Sequence, residues 1–278
     1  MRYEGRHMKT VLITGGTSGI GQALVEHFGS DEGYEVYFTA RSEEKAQKLQ
    51  ERLPNSHYFL MDFADLESVV AGAKAVKNQL PQLDALINNA GTWQMEFKET
   101  RDGLEMNFAV NHLAPMLLTL ELLPALKAAP KARVINTSSG AHRRNILDLE
   151  DLEFRRQEYN GISTYSQSKL CNILFSLQLK ERLAETNITV NTVHPGYVKS
   201  SLFDQMGPRS FESVPTSAHG ARSAIYVATS PALDGVSGGY FYLEKEDDRL
   251  SPVAQDATLA QALWEKSMRY LAPFLTTS

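Results

Sequence analysis

Tyr165 and Lys169 stand four residues apart in Tyr165-Ser166-Gln167-Ser168-Lys169, inside a long amphipathic stretch over residues 165–185. On a helix that spacing puts a phenol and an ammonium on one face, aimed at one site. A free tyrosine titrates near ~10, too high for proton transfer at neutral pH. A neighbouring ammonium favours the phenolate, so the pair predicts a Tyr165 of lowered pKa that can give and take a proton. By itself the pattern also fits an ordinary helix with a snorkelling lysine. Upstream, Arg133-Val134-Ile135-Asn136-Thr137-Ser138-Ser139-Gly140 reads as a strand ending in two serines. A hydroxyl there is placed to hold a substrate oxygen while Tyr165 moves the proton, and either Ser138 or Ser139 fits. Asn107 and Asn111 share one further helical stretch.

A second constellation precedes these residues. Thr14-Gly15-Gly16-Thr17-Ser18-Gly19-Ile20-Gly21 follows the short β-branched run Val11-Leu12-Ile13-Thr14 and opens an amphipathic segment. Glycines at a strand-to-helix turn permit a tight bend, close approach of a pyrophosphate and close packing of helix on strand. The helix N-terminus adds free N–H groups and partial positive charge. At the end of the second strand, an acidic residue would hold the ribose hydroxyls of NAD. Val36-Tyr37-Phe38-Thr39-Ala40-Arg41-Ser42 has no acid there. Arg41 suits a 2′-phosphate, which predicts NADP(H) over NAD(H), although an arginine here also fits the start of a solvated helix face.

The elements that position these groups show as an alternation. Short β-branched runs (11–14, 35–39, 57–61, 84–87, 133–136, 188–193 and 240–243) alternate with helical stretches (20–28, 43–53, 66–80, 101–127, 165–185, 217–229 and 258–271). This implies βαβ units and an α/β fold: a doubly wound parallel sheet, the Rossmann fold, of about seven strands with helices on both faces. Right-handed crossovers gather the strand C-termini at one edge, where such sheets bind ligands. No linker divides the chain, so one domain is expected over 8–278, with a substrate lid at 200–216 where Pro, Gly and polar residues interrupt the pattern. Residues 1–7 are expected to be a disordered extension, with Gly5-Arg6-His7-Met8 reading as a cloning scar.

Taken together, these motifs resemble the short-chain dehydrogenase/reductase family, in its simple single-domain branch. The resemblance rests on Thr-Gly-x-x-x-Gly-Ile-Gly at 14–21, Asn88-Asn89-Ala90-Gly91, Ser139, Tyr165-x-x-x-Lys169 and His194-Pro195-Gly196-Tyr197-Val198-Lys199-Ser200. It implies that Gly15, Thr17, Ser18, Gly19, Ile20 and Gly21 form the phosphate loop, and that Asp62 binds the adenine amino group beside Phe63. An Asp at that junction equally suits a turn cap. It further implies that Asn89, Ala90 and Gly91 approach the cofactor ribose, that Lys169 holds the nicotinamide ribose, and that Pro195, Gly196, Val198 and Ser200 hold the carboxamide. By the same resemblance Ser139 rather than Ser138 is the catalytic serine. Asn111 completes the set through a proton-relay water, with Asn107 the competing choice. The polar segment 143–152, Ser168-Lys169-Leu170-Cys171-Asn172 and Trp264-Glu265 are similar to the retinol dehydrogenase-like and WW-domain-oxidoreductase-like group. The C-terminal ending through which many simple members form tetramers is not recognisable, which implies a monomer or homodimer.

Net charge is −5 without a basic block, which argues against nucleic acid as a partner. The one cysteine, Cys171, precludes an internal disulfide and a multi-cysteine metal site. No metal-ligand spacing involves His112, His142 or His194, so no metal is expected and structural roles are. No apolar run suggests a bilayer span and residues 1–9 carry no signal-peptide core, so a cytoplasmic protein without a membrane partner is expected. Trp93, Phe203, Met206 and Phe211 either line an apolar pocket or pack the lid. The predicted activity is hydride exchange between NADP(H) and an apolar carbonyl or alcohol. A non-catalytic NADP(H) sensor or scaffold and a reductase of activated C=C bonds are the alternatives.

Overall fold

The computed structural model describes residues 8–144, 146–198 and 215–275. Its strands are β1 (Lys9–Ile13), β2 (Tyr34–Ala40), β3 (Ser56–Leu60), β4 (Ala85–Asn88), β5 (Ala132–Thr137), β6 (Ile188–His194), β7 (Tyr240–Tyr242) and β8 (Lys245–Glu246). They form one sheet in the order β3-β2-β1-β4-β5-β6-β7-β8. Every pairing from β3 to β7 is parallel, and β8 alone runs antiparallel, folding back on β7. This is the Rossmann sheet expected, plus a two-residue strand too short to leave a periodic signal.

The helices are α1 (Gly19–Gly29), α2 (Glu43–Arg52), α3 (Leu66–Gln79), α4 (Met106–Ala128), α5 (Gly161–Arg182), α6 (Ser217–Thr229) and α7 (Ala257–Leu271). Strand side chains alternate between two cores, as the pleat requires. Leu12, Leu86, Val134 and Val190 face the core built with α3, α4, α5 and α7. Val11, Ile13, Ile87, Ile135 and Val193 face the other core, built with α1, α2 and α6. Strand order reverses between β1 and β4, so the loops that leave those two strands flank a crevice at the C-terminal edge.

Two helices differ from expectation at their starts. α4 begins at Met106 rather than 101, because the Glu105 carboxylate accepts from the backbone N–H groups of Asn107 (2.9 Å) and Phe108 (2.6 Å). α5 begins at Gly161, where the Asn160 side chain accepts from Ile162 and Ser163. α4 also widens into a π turn over Ala109–Leu113. It corrects one further expectation: by length and composition it is apolar enough to cross a membrane, yet 83% of that stretch is buried inside the fold. Asn107, Asn111 and His112 interrupt its apolar run in the sequence, and all three prove to be buried.

A buried polar chain fastens this half of the sheet. Asn88 Nδ2 donates to Thr119 Oγ1 on α4 (2.9 Å) and to Asn136 Oδ1 on β5 (2.8 Å), and Asn136 Nδ2 donates to Ser176 Oγ on α5 (2.8 Å). Cutting it at Asn88 leaves acceptors buried without donors. Asn88→Ala is therefore expected to lower the unfolding free energy by about 2 kcal/mol, read from the denaturant midpoint at unchanged m-value.

Candidate active site

The glycine loop is held open by hydrogen bonds from its own strand ends. Thr14 Oγ1 accepts from the N–H groups of Asn89 and Ala90 (both 2.9 Å), and Asn89 Nδ2 donates back to the Thr14 carbonyl (2.9 Å). Gly15 N–H donates to Thr39 Oγ1 (3.0 Å) and Gly16 N–H to the Thr39 carbonyl (2.9 Å). Gly15 adopts φ +71°, and a Cβ on Gly21 would collide with the Gly15 carbonyl, so these two glycines are required by the turn and the helix packing. Ser18 is the N-cap of α1 but makes no side-chain cap bond, whereas Ser42, Asp65, Asn160, Thr216 and Asp256 cap their helices. The first-turn amides of α1 thus remain open to an anion, and they border a cavity of about 560 Å³. An uncapped helix end bordering such a cavity fits a dinucleotide pyrophosphate.

Every predicted residue of the phosphate loop borders this cavity: Gly15, Thr17, Ser18, Gly19, Ile20 and Gly21. Arg41 stands at its outer end, with Asp62 and Phe63 on the next strand end. Asp62 caps its own turn, since Oδ1 accepts from Ala64 N–H (3.0 Å), and the same residue borders the cavity. Asn89, Ala90 and Gly91 form one wall, and Ser139, Tyr165, Lys169, Pro195, Gly196 and Val198 the inner end. Ser200, Phe203, Met206, Phe211 and the lid over 200–214 lie outside the described residues, as do residues 1–7. Lys45, four residues beyond Arg41 in the first turn of α2, also borders the cavity, and no motif in the sequence singles it out. Its signal in the sequence is the Arg41/Lys45 spacing of four, the same spacing that pairs Tyr165 with Lys169.

At the inner end the two serines separate by role. Ser138 Oγ donates to the Lys169 carbonyl (2.7 Å) and its N–H to the Val193 carbonyl (2.8 Å), so it is spent fastening β5 to α5 and β6. The Ser139 hydroxyl stands beside the Tyr165 phenol, where it favours the ionised form, and it accepts from Ala141 N–H (3.2 Å). The two asparagines are also distinguished. Asn111 accepts from Thr92 N–H (2.7 Å) and donates to the Thr92 carbonyl (2.9 Å) and Ser168 Oγ (2.9 Å). It stands behind Gly91, whose absent Cβ would lie 3.1 Å from Asn111 Oδ1 and 3.5 Å from Lys169 Nζ. Asn107 bonds Gln94, Tyr159 and Thr164, away from Lys169.

The electrostatics correct the expectation of a lowered tyrosine pKa. Burial pushes Tyr165 up to about 12, opposed by its hydrogen bond with Ser139. Burial also brings Lys169 down to about 8. The ammonium lies 5.6 Å from the phenol ring centroid and donates to the Thr137 carbonyl (3.2 Å). In the chain alone desolvation outweighs the attraction between the two groups. Trp93 lies flat against Tyr165, its ring centroid 4.6 Å from that of the phenol at 17°.

The histidines have structural partners. His112 Nε2 meets Ser267 Oγ at 2.8 Å, and burial lowers its pKa to about 3. His142 Nδ1 meets the Ser139 carbonyl at 2.7 Å, holding the serine turn. His194 stacks on Tyr242 and is lowered to about 4 by burial. Cys171 is fully buried and its thiol is pushed up by burial, which suits a core residue and not a nucleophile. Among the described residues no three metal-ligating side chains come together.

Comparison with known proteins agrees with this geometry. Residues 9–209 match the family model of the short chain dehydrogenases. Human retinol dehydrogenase 14 is 37% identical, the match covering 94% of this chain and 85% of that one. Human retinol dehydrogenase 13 is 34% identical over 94% and 84%. An uncharacterised protein from Mycobacterium paratuberculosis superposes with a TM-score of 0.79 at 32% identity, covering 94% of this chain and 92% of that one. NADPH-bound carbonyl reductase from chicken fatty liver superposes with a TM-score of 0.68 at 27% identity, covering 86% and 98%.

The division of labour between the serines has a direct consequence. Ser138→Ala is expected to cost about 1 kcal/mol of stability, because it strips a buried donor from the Lys169 carbonyl. Ser139→Ala is expected to cost less than that, since the one backbone group its hydroxyl holds is the nearby Ala141 N–H, at 3.2 Å.

Proposed function

Since the chain belongs to the short-chain dehydrogenase family, we propose that it exchanges hydride between NADP(H) and an apolar carbonyl or alcohol, with Tyr165 as general acid and base. The observation that carries this reading is the convergence of Ser139, Tyr165 and Lys169 at one end of a cavity whose other end holds Arg41 and Lys45. The nicotinamide cofactor, when bound, supplies or accepts the hydride. Among this chain's own groups, the Ser139 hydroxyl hydrogen-bonds the substrate oxygen and orients it toward the phenol. In reduction Tyr165 donates its proton to that oxygen as the carbonyl becomes an alcohol. In oxidation it takes the proton back. Lys169 contributes the positive charge beside the phenol and a donor toward a ribose hydroxyl.

Arg41 and Lys45, two cations that both border the outer end of the cavity, favour a 2′-phosphate through charge-assisted bonds. Human retinol dehydrogenases among the relatives and a carbonyl reductase among the structural neighbours support an apolar substrate. So do the exposed side chains of Met95 and Phe97, which follow Gln94 out of the cavity wall.

NADPH is expected to bind at least about tenfold more tightly than NADH, and Arg41→Ala to remove most of that difference while leaving NADH binding nearly unchanged. Tighter binding of NADH would overturn the cofactor assignment. With a carbonyl panel followed by cofactor absorbance, Lys169→Ala should abolish turnover of any substrate found while the variant remains folded. The pH dependence follows from the two buried groups. Tyr165 stays protonated to about 12, whereas Lys169, lowered from its ordinary value, loses its charge as pH rises through about 8. Reductive kcat/KM should therefore be flat below that pH and fall above it, as a profile for the free enzyme will record.

A further inference from the structure

Residues 92–94 form a strap over the N-terminal half of α5, and it is fastened by a ladder of side chains. Asn111 takes both the N–H and the carbonyl of Thr92, at 2.7 and 2.9 Å. Asn107 does the same to Gln94, at 2.8 and 3.1 Å. Two asparagines four apart on α4 therefore stand in for a neighbouring strand and pair with every second residue of the strap. Both are fully buried.

The residue between the two rungs is Trp93, turned away from the ladder and onto Tyr165. Its ring is nearly parallel to the phenol at 4.6 Å, and its indole N–H donates to the Gly161 carbonyl at the start of α5 (2.8 Å). Gly161 is required there, because a Cβ would collide with the Gln94 carbonyl and Met95 Cα. Both rings are more than nine-tenths buried. Trp93 is not among the residues that border the cofactor cavity. It is thus held at three points, by the strap on either side and by the helix that carries Tyr165.

We propose that Trp93 is a positioning residue for Tyr165: the indole covers one face of the phenol, keeps water from it and leaves the hydroxyl directed at Ser139. This rests on the reading of Tyr165 as the proton-transfer group. Asn107 and Asn111 act through the same device, since they hold the strap that carries the indole. Among the described residues the titratable groups around the phenol are Lys169 on its own helix and Tyr240 on β7. The strap side contributes only the uncharged indole.

The protein has two tryptophans, so Trp264→Phe leaves Trp93 as the sole indole. In that background Trp93 emission is expected to change when Tyr165→Phe is added, and to show an alkaline step, from ionisation of the stacked phenol, that this second substitution removes. Emission indifferent to Tyr165 would overturn the proposal whether or not a substrate is known. With a carbonyl that the native enzyme reduces, Trp93→Leu should lower kcat about tenfold, the scale of a lost aromatic pair, with NADPH Kd within twofold. Trp93→Phe, which keeps the stack and loses only the N–H bond, should recover most of that loss. Native kcat in Trp93→Leu, or no recovery in Trp93→Phe, would overturn it. Should Trp93→Leu fail to fold, the Phe variant and the emission measurement still decide. Absence of any turnover by the native enzyme would count against the functional reading alone.

Discussion

The Thr14 hydroxyl is the constraint on which the site depends. It accepts two backbone N–H groups from the loop after β4 while its own carbonyl receives the Asn89 amide. These bonds tie the ends of β1 and β4 together at the place where strand order reverses. Without them the crevice would have no fixed width, because the two loops leave the sheet on opposite sides. With them, Gly15 packs against Ala90 with no room between, and everything downstream of Asn89 inherits that register. Gly91 is placed against Lys169, Thr92 against Asn111 and Trp93 against Tyr165. The clamp that fixes the glycine loop therefore also locates Tyr165.

The inner end of the site owes its chemistry to a second, opposing effect. Tyr165 and Lys169 sit on a helix whose middle is almost wholly buried. Burial excludes water from the pair, and it disfavours charge on either group. Neutral phenol and weakened ammonium are the state of the chain by itself. On the proposed reading, serine hydroxyl, cofactor and substrate supply the polarity that burial has removed from these two side chains.

Much of this arrangement is legible in the amino-acid sequence. Residues that follow a strand directly, such as Gly15, Arg41, Asp62, Asn89, Ser139 and Pro195, are brought to one edge by parallel topology alone, so recognising the alternation of strand and helix nearly suffices to assemble them. Choosing Ser139 over Ser138 needs the family resemblance, because two adjacent serines look alike until one is seen fastening α5. Lys45 escapes notice because its side chain reaches the cavity from the first turn of a helix that otherwise reads as a charged surface. The Tyr165 shift runs opposite to expectation for a different reason: sequence spacing records a nearby charge but says nothing of how much water the pair keeps. The π turn in α4, the short β8 and the caps by Glu105 and Asn160 move element boundaries without moving the site. The burial of α4 is likewise a property of its neighbours, invisible in its own composition.

The asparagine ladder gives the strap an unusual freedom. In a sheet, exchanging a residue disturbs partners on both flanking strands. Here the backbone at 92 and 94 is held by side chains from a helix, and the intervening position is answerable only for what it touches. Residue 93 is in effect a socket in a rigid frame: the chain can change what it presses against the tyrosine without rebuilding what holds it. Divergence of substrate preference within such a scaffold need not begin at the rim of a pocket. It can begin beneath Tyr165, at a single position whose surroundings are already fixed.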